Sequence, residues 1–280
     1  SSQNNDAKEL YNKAISLFKN DKNSTGLGHC YRGIAEIHRA QDDYEKAEEL
    51  YDLAIDNYTE GKSSIGKGFA LLGKGQLNRI QDLFFDAKEN YEEAIELFNQ
   101  ENHGLGKADT LSELGFLEFS LENYTESEKH LKEALNLLEE EKEDWSQPLI
   151  LQGLANIELN KENNKKAIQY LEKAIQISEK TENKMDEANS LKNLGNIKIL
   201  EKEYQEAQAV LDKALSIFET INDQLGKANA LTILGKLKAE QKNMAEAETL
   251  FKKAESLYEK FGDTIRQIQV SEAIENLNNT

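Results

Sequence analysis

The stretch LGKANALTILGKLKAEQKNMAEAETLFKKAESLYEK, residues 225–260, decides the fold of this chain. Its first half places small and apolar residues on one arc at about 100° per residue, the spacing of a helix: Leu231, Leu234, Gly235 and Leu237. Its second half has a similar arc: Ala247, Leu250, Phe251, Ala254 and Tyr258. Because the link between the halves is short, the stretch predicts two helices that pack against each other as an antiparallel pair.

This pattern recurs along the chain every 40 residues, for example from Ala207 to Ala247. One position of the second helix is marked by Ala7, Ala47, Ala87, Ser127, Ala167, Ala207 and Ala247. The first helix carries its own small residue at Ala35, Gly75, Gly115, Ala155, Gly195 and Gly235. Small residues at fixed places allow helices to approach closely, since a larger side chain would push the backbones apart. The regular period predicts a repeat protein in which each helix pair packs on its neighbours.

The phase of the repeat gives the organisation of the chain. Six full pairs cover residues 26–261, preceded by a half repeat over 6–20 and followed by a half repeat or cap over 264–278. We therefore expect about fourteen helices in a single domain over residues 1–280. The ends lack partner helices, so self-association through uncapped ends is also expected.

Composition excludes several classes of protein. The chain has 280 residues with 34 basic and 52 acidic side chains, a formal charge of −18 that repels nucleic acid and anionic membrane surfaces. A single cysteine, Cys30, excludes a disulfide framework and a cysteine-rich zinc site. No apolar run is long enough to span a membrane. We expect a cytoplasmic protein that binds neither nucleic acid nor membrane.

No motif for catalysis stands out. Gly61-Lys62-Ser63 resembles the end of a phosphate loop, but Asp56 stands where that loop needs a glycine. The four histidines form no i, i+4 pair, and no metal-ligand spacing is present. We therefore expect no enzyme activity, no cofactor and no metal.

The repeat resembles the tetratricopeptide repeat, whose signature has Leu-Gly, then Ala-x3-Phe, then a later Ala. Here it reads Leu234-Gly235, Ala247 to Phe251 and Ala254. The period is 40 instead of about 34, and the extra residues lie in links that we expect to extend the following helix. The aromatic expected three residues after the glycine is replaced by His38, Asn78, Glu118, Glu158, Lys198 and Lys238.

This resemblance implies an all-α fold, a right-handed α-solenoid of antiparallel helix pairs, with a concave groove built from the first helices. The long repeat is similar to those of Pins-type signalling adaptors and of sensor regions in signalling NTPases. In Pins-type repeats the asparagines of an NLGN element contact partner peptides, and Asn193-Leu194-Gly195-Asn196 is similar to that element. The family's two-carboxylate clamp is matched only at Lys192 and Asn196, so binding of chaperone tails is not expected.

If the small residue of each first helix is numbered 8, positions 2, 5, 6, 9, 12 and 13 point away from the core and into the groove. The predicted partner-binding residues are Arg32, Glu36, Arg39, Phe69, Gln76, Arg79, Phe116, Phe119, Gln152, Asn156, Asn189, Lys192, Asn193, Asn196, Asn229 and Lys236. The phenylalanines are expected to form apolar pockets. The asparagines are expected to hydrogen-bond a partner's backbone, because an amide both donates and accepts.

The same face also carries Asp109, Glu113 and Glu240, so that with Glu36 four acidic residues nearly balance the five basic ones, although the rest of the chain is strongly acidic. The balance favours a surface that meets a partner, and it predicts a modest salt dependence. Two alternatives stay open: first helices carry fewer charges in general, and the chain is rich in asparagine.

The leading hypothesis is a protein–protein interaction scaffold, an adaptor that binds a partner peptide segment in the groove of repeats three to six. One alternative is a ligand- or peptide-sensing regulatory region of a signalling ATPase or transcription factor. A structural or self-association module is the other.

Overall fold

The structure, a computed structural model, describes residues 2–278 and the side chains of residues 6–277. This part of the chain contains fourteen α-helices and no strand, which confirms the all-α prediction. The helices are α1 (Ser2–Asn20), α2 (Ser24–Arg39), α3 (Tyr44–Glu60), α4 (Ser64–Ile80), α5 (Phe84–Gln100), α6 (Gly104–Ser120), α7 (Tyr124–Glu141), α8 (Gln147–Asn160), α9 (Asn164–Lys180), α10 (Lys184–Leu200), α11 (Tyr204–Thr220), α12 (Gln224–Glu240), α13 (Met244–Phe261) and α14 (Thr264–Asn278).

The links between helices are built to one plan. A non-glycine residue with positive φ stands in every link from Lys22 to Lys242, at a constant interval of half a repeat, and Gly262 takes the next place in the series. A left-handed residue stops a helix and lets the chain reverse within three residues. Helices such as α4, α5 and α6 are each 17 residues long, so that one helix and one link make up half of the period. The residues beyond the usual repeat length do extend the helices, as expected.

Polar side chains begin most of the first helices. Asn23 Oδ1 accepts a hydrogen bond from the backbone N–H of Gly26 at 2.8 Å, and Asp223 Oδ1 accepts one from Gly226 at 3.0 Å. At the start of α6, His103 Nδ1 accepts a hydrogen bond from the backbone N–H of Gly106. These side chains satisfy N–H groups that have no partner inside the helix.

The chain divides into two compact units, Ser1–Lys142 and Glu143–Thr280, within which α1–α7 and α8–α14 pack respectively. Within the units, α2, α4, α6, α10 and α12 each pack on the second helix of their own pair and on the second helix before it, α8 packs on α9, and α14 packs on α13. The alanines that mark the second helices are fully buried, as predicted: Ala47, Ala87, Ala167, Ala207 and Ala247. Ser127 takes the alanine position in α7, where its Oγ donates to the carbonyl oxygen of Gly115 at 2.7 Å.

Polar residues replace the family's aromatic without leaving buried charge unpaired. Glu158 is 3% exposed, and its carboxylate is paired with Lys166 at 2.6 Å and accepts a hydrogen bond from Asn163 Nδ2 at 2.8 Å. Lys198 pairs with Glu206 at 2.7 Å at the equivalent place in the next repeat. In these two repeats, ion pairs between the two helices of a pair stand where the family has aromatic packing.

No helix in the described part of the chain is both long enough and apolar enough to cross a membrane.

Candidate functional site

The predicted groove residues share one face of α2, α4 and α6 in the first unit and of α8, α10 and α12 in the second, and this face is called the inner face. Most of them are half-buried. Gln152 is almost fully buried and Lys236 is exposed.

The charges of the first unit pair with one another. Arg39 Nη2 lies 2.5 Å from Glu36 Oε2, Tyr51 donates to Glu36 Oε1 at 2.7 Å, and Arg39 Nε donates to the Tyr51 hydroxyl at 3.2 Å. Burial, together with the charge of Glu36, raises the pKa of Tyr51, so its hydroxyl stays protonated and remains a donor. This closed triangle occupies the polar groups that the sequence predicts for partner binding.

A second polar cluster joins α4 to α6. Gln76 Nε2 donates to Glu113 Oε1 at 2.9 Å, and Arg79 Nη2 lies 3.4 Å from Glu113 Oε2. Glu113 comes from α6, so the cluster joins two neighbouring first helices. The near-neutral charge of the predicted groove therefore arises in the first unit from direct pairing.

Aromatic residues of the first unit are also engaged. The Phe69 ring packs edge-on against Phe98 at 4.9 Å and against His103 at 5.5 Å, and Arg32 lies over its face at 5.7 Å. Phe119 packs against Tyr124 in the same unit at 5.4 Å. Phe116 is half-buried on the inner face of α6.

The predicted asparagines of the second unit fall into two groups. Asn189 Oδ1 accepts a hydrogen bond from Lys192 at 3.1 Å, and Asn229 Oδ1 accepts one from the Tyr258 hydroxyl at 2.8 Å. Asn156, Asn193 and Asn196 are half-buried, and among the described residues their side-chain amides have no hydrogen-bond partner. Only this second group has both amide donors and acceptors to offer.

Gln152 differs from the other predicted groove residues because it is almost fully buried and contacts Asp186. Only 8% of it is exposed, and its Nε2 lies 3.4 Å from Asp186 Oδ1. Asp186 also accepts a hydrogen bond from Asn183 Nδ2 at 2.7 Å. Burial raises the pKa of the Asp186 carboxyl, although the hydrogen bonds from Asn183 and Gln152 oppose that shift. Gln152 thus joins α8 to α10 and exposes little surface.

Three predicted residues meet in a cavity of about 560 Å³ between α10, α12 and α14: Lys192, Asn229 and Lys236. Arg266 and Gln269 of α14 line the same cavity, together with Thr232 and Tyr258. The sequence interpretation missed Arg266 because it treated residues 264–278 as a cap. The repeat phase alone does not reveal it, since Arg266 occupies the position that Gly226 holds in the repeat before it, and that position is not one of the groove positions.

Within residues 6–277 no group of three or more His, Cys, Asp or Glu side chains is arranged to hold a metal ion.

Stacked helix pairs with a fixed period define a helical-repeat protein. The family model for the tetratricopeptide repeat matches residues 2–60, 69–140, 146–220 and 186–260, which is most of the sequence. The chain therefore belongs to the tetratricopeptide repeat family. A search of curated proteins finds no match.

Solved structures of repeat proteins share the fold at low sequence identity. BtubC from P. vanneervenii is 19% identical, with a TM-score of 0.68 over 79% of this chain and 92% of that chain. A Rap protein complexed with Competence and Sporulation Factor is 12% identical, with a TM-score of 0.65 over 91% of this chain and 75% of that chain. A signal-transduction ATPase with a tetratricopeptide repeat sensor from Pyrococcus horikoshii is 16% identical, with a TM-score of 0.67 over 94% of this chain and 42% of that chain.

Proposed function

We propose that the chain is a non-catalytic interaction scaffold whose second unit binds an extended segment of a partner protein. The observation that carries this proposal is the set of unpartnered amides on the inner faces of α8 and α10, namely Asn156, Asn193 and Asn196. The proposal keeps two expectations from the sequence, a peptide segment as partner and a cytoplasmic location. It narrows the groove of repeats three to six to the part that lies in the second unit.

The spacing of these amides suits a peptide backbone. Asn156 and Asn196 occupy equivalent positions on neighbouring first helices, and Asn193 precedes Asn196 by one turn. A half-buried amide without a partner keeps its hydrogen-bonding capacity for water or for a ligand. Backbone N–H and C=O groups of an extended segment offer the matching acceptors and donors at every residue. Such contacts tolerate many sequences, as a scaffold requires.

The first unit contributes less to this proposal because its polar groups are already paired. Arg39 and Glu36 would have to break hydrogen bonds with Tyr51 before they could contact a partner. That exchange returns little net free energy, since a typical intramolecular hydrogen bond contributes only about 1 kcal/mol. Recognition through free amides avoids the exchange.

Among the structurally similar proteins, the Rap protein was solved in complex with Competence and Sporulation Factor. That complex supports a binding role for this fold without identifying a partner for this chain.

A sensing role is a second candidate function, favoured by the similarity to the ATPase that carries a tetratricopeptide repeat sensor. A sensor must change conformation when its ligand binds, whereas a passive scaffold need not. Small-angle scattering of the chain with and without a bound peptide separates the two roles. A sensor is expected to change its radius of gyration at saturation.

The binding proposal is tested by panning random 12-residue peptides against the purified chain and measuring the selected peptides by fluorescence anisotropy. The double variant Asn193→Ala with Asn196→Ala should weaken binding about tenfold or more, as loss of central contacts does. Circular dichroism should be unchanged, because neither side chain belongs to the buried core.

Glu172→Lys is the matched control, since Glu172 is exposed on the second helix α9. Failure to select any peptide would contradict the proposal. The proposal would also be contradicted by peptides whose affinity is unchanged in the asparagine double variant but is lost in Glu172→Lys, because such peptides would bind the outer surface.

A further inference from the structure

The cavity between α10, α12 and α14 has an unusual charge for this protein. Its lining contains Lys192, Lys236 and Arg266 and no acidic residue. Across the whole chain, acidic side chains outnumber basic ones by 52 to 34. A cavity bounded only by cationic and neutral groups concentrates positive potential, because its walls exclude part of the screening solvent.

The cations of this cavity retain capacity for a ligand. Lys192 Nζ donates to the neutral Asn189 Oδ1 at 3.1 Å, which uses one of the three hydrogens of an ammonium group. Burial, and then the charge of Arg266, lowers the pKa of Lys192, although Asp223 opposes the shift. Lys236 is exposed and forms no ion pair with any described residue.

The acids nearest to these cations have other tasks. Asp263 pairs with Arg266 Nη1 at 2.5 Å, and its Oδ1 also accepts the backbone N–H of Arg266 at the start of α14. Asp223 Oδ1 accepts the backbone N–H of Gly226 at the start of α12. Both acids lie outside the lining of the cavity. Because Asp263 neutralises Arg266, the excess positive charge of the cavity comes from Lys192 and Lys236, which form no ion pair with any described residue.

The neutral polar groups of the cavity include a further oriented donor. Asn229 Oδ1 accepts the hydrogen bond of the Tyr258 hydroxyl at 2.8 Å, so the hydrogens of Asn229 Nδ2 remain to be donated. Thr232 Oγ1 donates to the carbonyl oxygen of Ala228 at 2.9 Å, which fixes the hydroxyl beside Tyr258. Ammonium, guanidinium and amide donors around one space are the groups that bind carboxylate oxygens.

We propose that this cavity binds acidic side chains of the partner segment, so that the scaffold selects peptides carrying Asp or Glu beside the asparagine-bound backbone. This inference rests on the proposed function and names the chemistry of the partner. The volume of about 560 Å³ falls in the range of ligand pockets and holds side chains together with their backbone.

The arrangement differs from the family's two-carboxylate clamp. Lys236 stands where that clamp has an asparagine, and Arg266 comes from the first turn of α14 instead of from the groove position of a first helix. The α14 contribution makes the terminal half repeat part of the site.

Peptides selected by panning on the full chain provide the probe. They should contain Asp and Glu more often than the unselected library. For a selected acidic peptide, replacement of every Asp and Glu by Asn and Gln should reduce the affinity about tenfold, the loss typical of charged contacts in a partly buried site. Raising the salt concentration should weaken binding of the acidic peptide and leave binding of its amide version nearly unchanged.

Lys192→Met and Lys236→Gln test the cavity from the protein side. Each substitution should lower the affinity for the acidic peptide about threefold to tenfold and have little effect on the affinity for the amide version, because the lost interaction needs both charges. Lys253→Gln is the matched control, since it removes one exposed positive charge from α13 outside the cavity. Circular dichroism and thermal melting check that each variant folds.

The outcomes separate this inference from the proposed function. Peptides that depend on Asn193 and Asn196 but show no acid preference, and no loss with Lys192→Met, would overturn the inference and leave the scaffold proposal intact. Absence of any binding peptide would overturn both. Competition by inorganic phosphate but not by glutarate, a simple dicarboxylate, would also overturn the inference, because the cavity would then select phosphate groups.

Discussion

The ring of Phe218 lies so close to Gly226 that a Cβ atom on the glycine would stand 2.3 Å from Phe218 Cδ1. The same relation joins an aromatic ring to a glycine in three other repeats: Phe18 with Gly26, Tyr58 with Gly66, and Phe98 with Gly106. In the fifth repeat the equivalent positions are held by Ser178 and Asp186. Ser178 is fully buried, and its Oγ is without a hydrogen-bond partner among the described atoms.

We therefore predict strong coupling between these two positions. Ser178→Phe alone should destabilise the protein by about 1–3 kcal/mol, because the ring would collide with Asp186. Ser178→Phe combined with Asp186→Gly should recover the wild-type stability or exceed it. Urea unfolding of the four proteins in the cycle measures the coupling, and an additive result would show that the two positions do not share the space.

A second prediction concerns the packing of the second helices. Ala207 is fully buried, so Ala207→Leu should cost about 1–3 kcal/mol through overpacking. Ala209 is exposed on the same helix, and Ala209→Leu should change the free energy of unfolding by less than about 0.5 kcal/mol. Equal melting temperatures for the two variants would argue against the helix alignment.

The left-handed links give a third prediction. Lys202 has a φ of 62°, which costs a non-glycine residue about 1 kcal/mol. Lys202→Gly should therefore stabilise the protein, by less than that cost, because glycine also makes the unfolded chain more flexible. Glu201 has a φ of −76°, and Glu201→Gly should only destabilise. Thermal denaturation of both variants tests this prediction. A lower melting temperature for Lys202→Gly than for the wild type would show that the backbone at Lys202 is not strained.

The buried carboxylate of Glu187 leads to a pH prediction. It lies 2.7 Å from Lys184 and 2.9 Å from Lys213, with 2% of the side chain exposed. Burial opposes ionisation, but the hydrogen bonds from Lys184 and Lys213 prevail and hold the pKa of Glu187 below its usual range. A lowered folded-state pKa stabilises the protein above the unfolded-state pKa, and this stabilisation is lost as the pH falls through the folded-state value.

Accordingly, Glu187→Gln should lose about 2 kcal/mol of stability at pH 7. Its difference from the wild type should shrink as the pH falls below about 4, near the usual pKa of glutamate. Glu172→Gln makes the same change of charge at an exposed site and should have little effect at either pH. Chemical denaturation as a function of pH tests this, and a difference that stays constant with pH would contradict it.

Lys192 supplies a prediction that separates binding from stability. Burial and the charge of Arg266 lower its pKa, so its ammonium group costs free energy in the folded protein. Lys192→Met keeps the apolar stem and removes that charge, and it should raise the free energy of unfolding by about 1 kcal/mol. A melting curve checks this, and a loss of stability would show that the ammonium group of Lys192, which donates to Asn189, stabilises the folded protein.

The sequence was sufficient for most of the architecture. The positions of Ala47 and Ala207, repeated at the same interval with the small residues of the first helices, gave the helix pairs and their buried faces. Helical periodicity is a local property, and each pair packs mainly on its neighbours, so a regular repeat contains nearly all the information that the fold needs. The same period also places Arg266 in the register of Gly226.

The tertiary structure decided which groove residues are free. Sequence could not distinguish Asn196, whose amide has no partner among the described residues, from Asn229, whose oxygen accepts the Tyr258 hydroxyl. Nor could it bring Lys192 and Arg266 to one cavity. Hydrogen bonds and local charge depend on contacts between residues far apart in the chain. A periodic pattern identifies the face on which a side chain lies, but only the packed helices determine which partners it meets there.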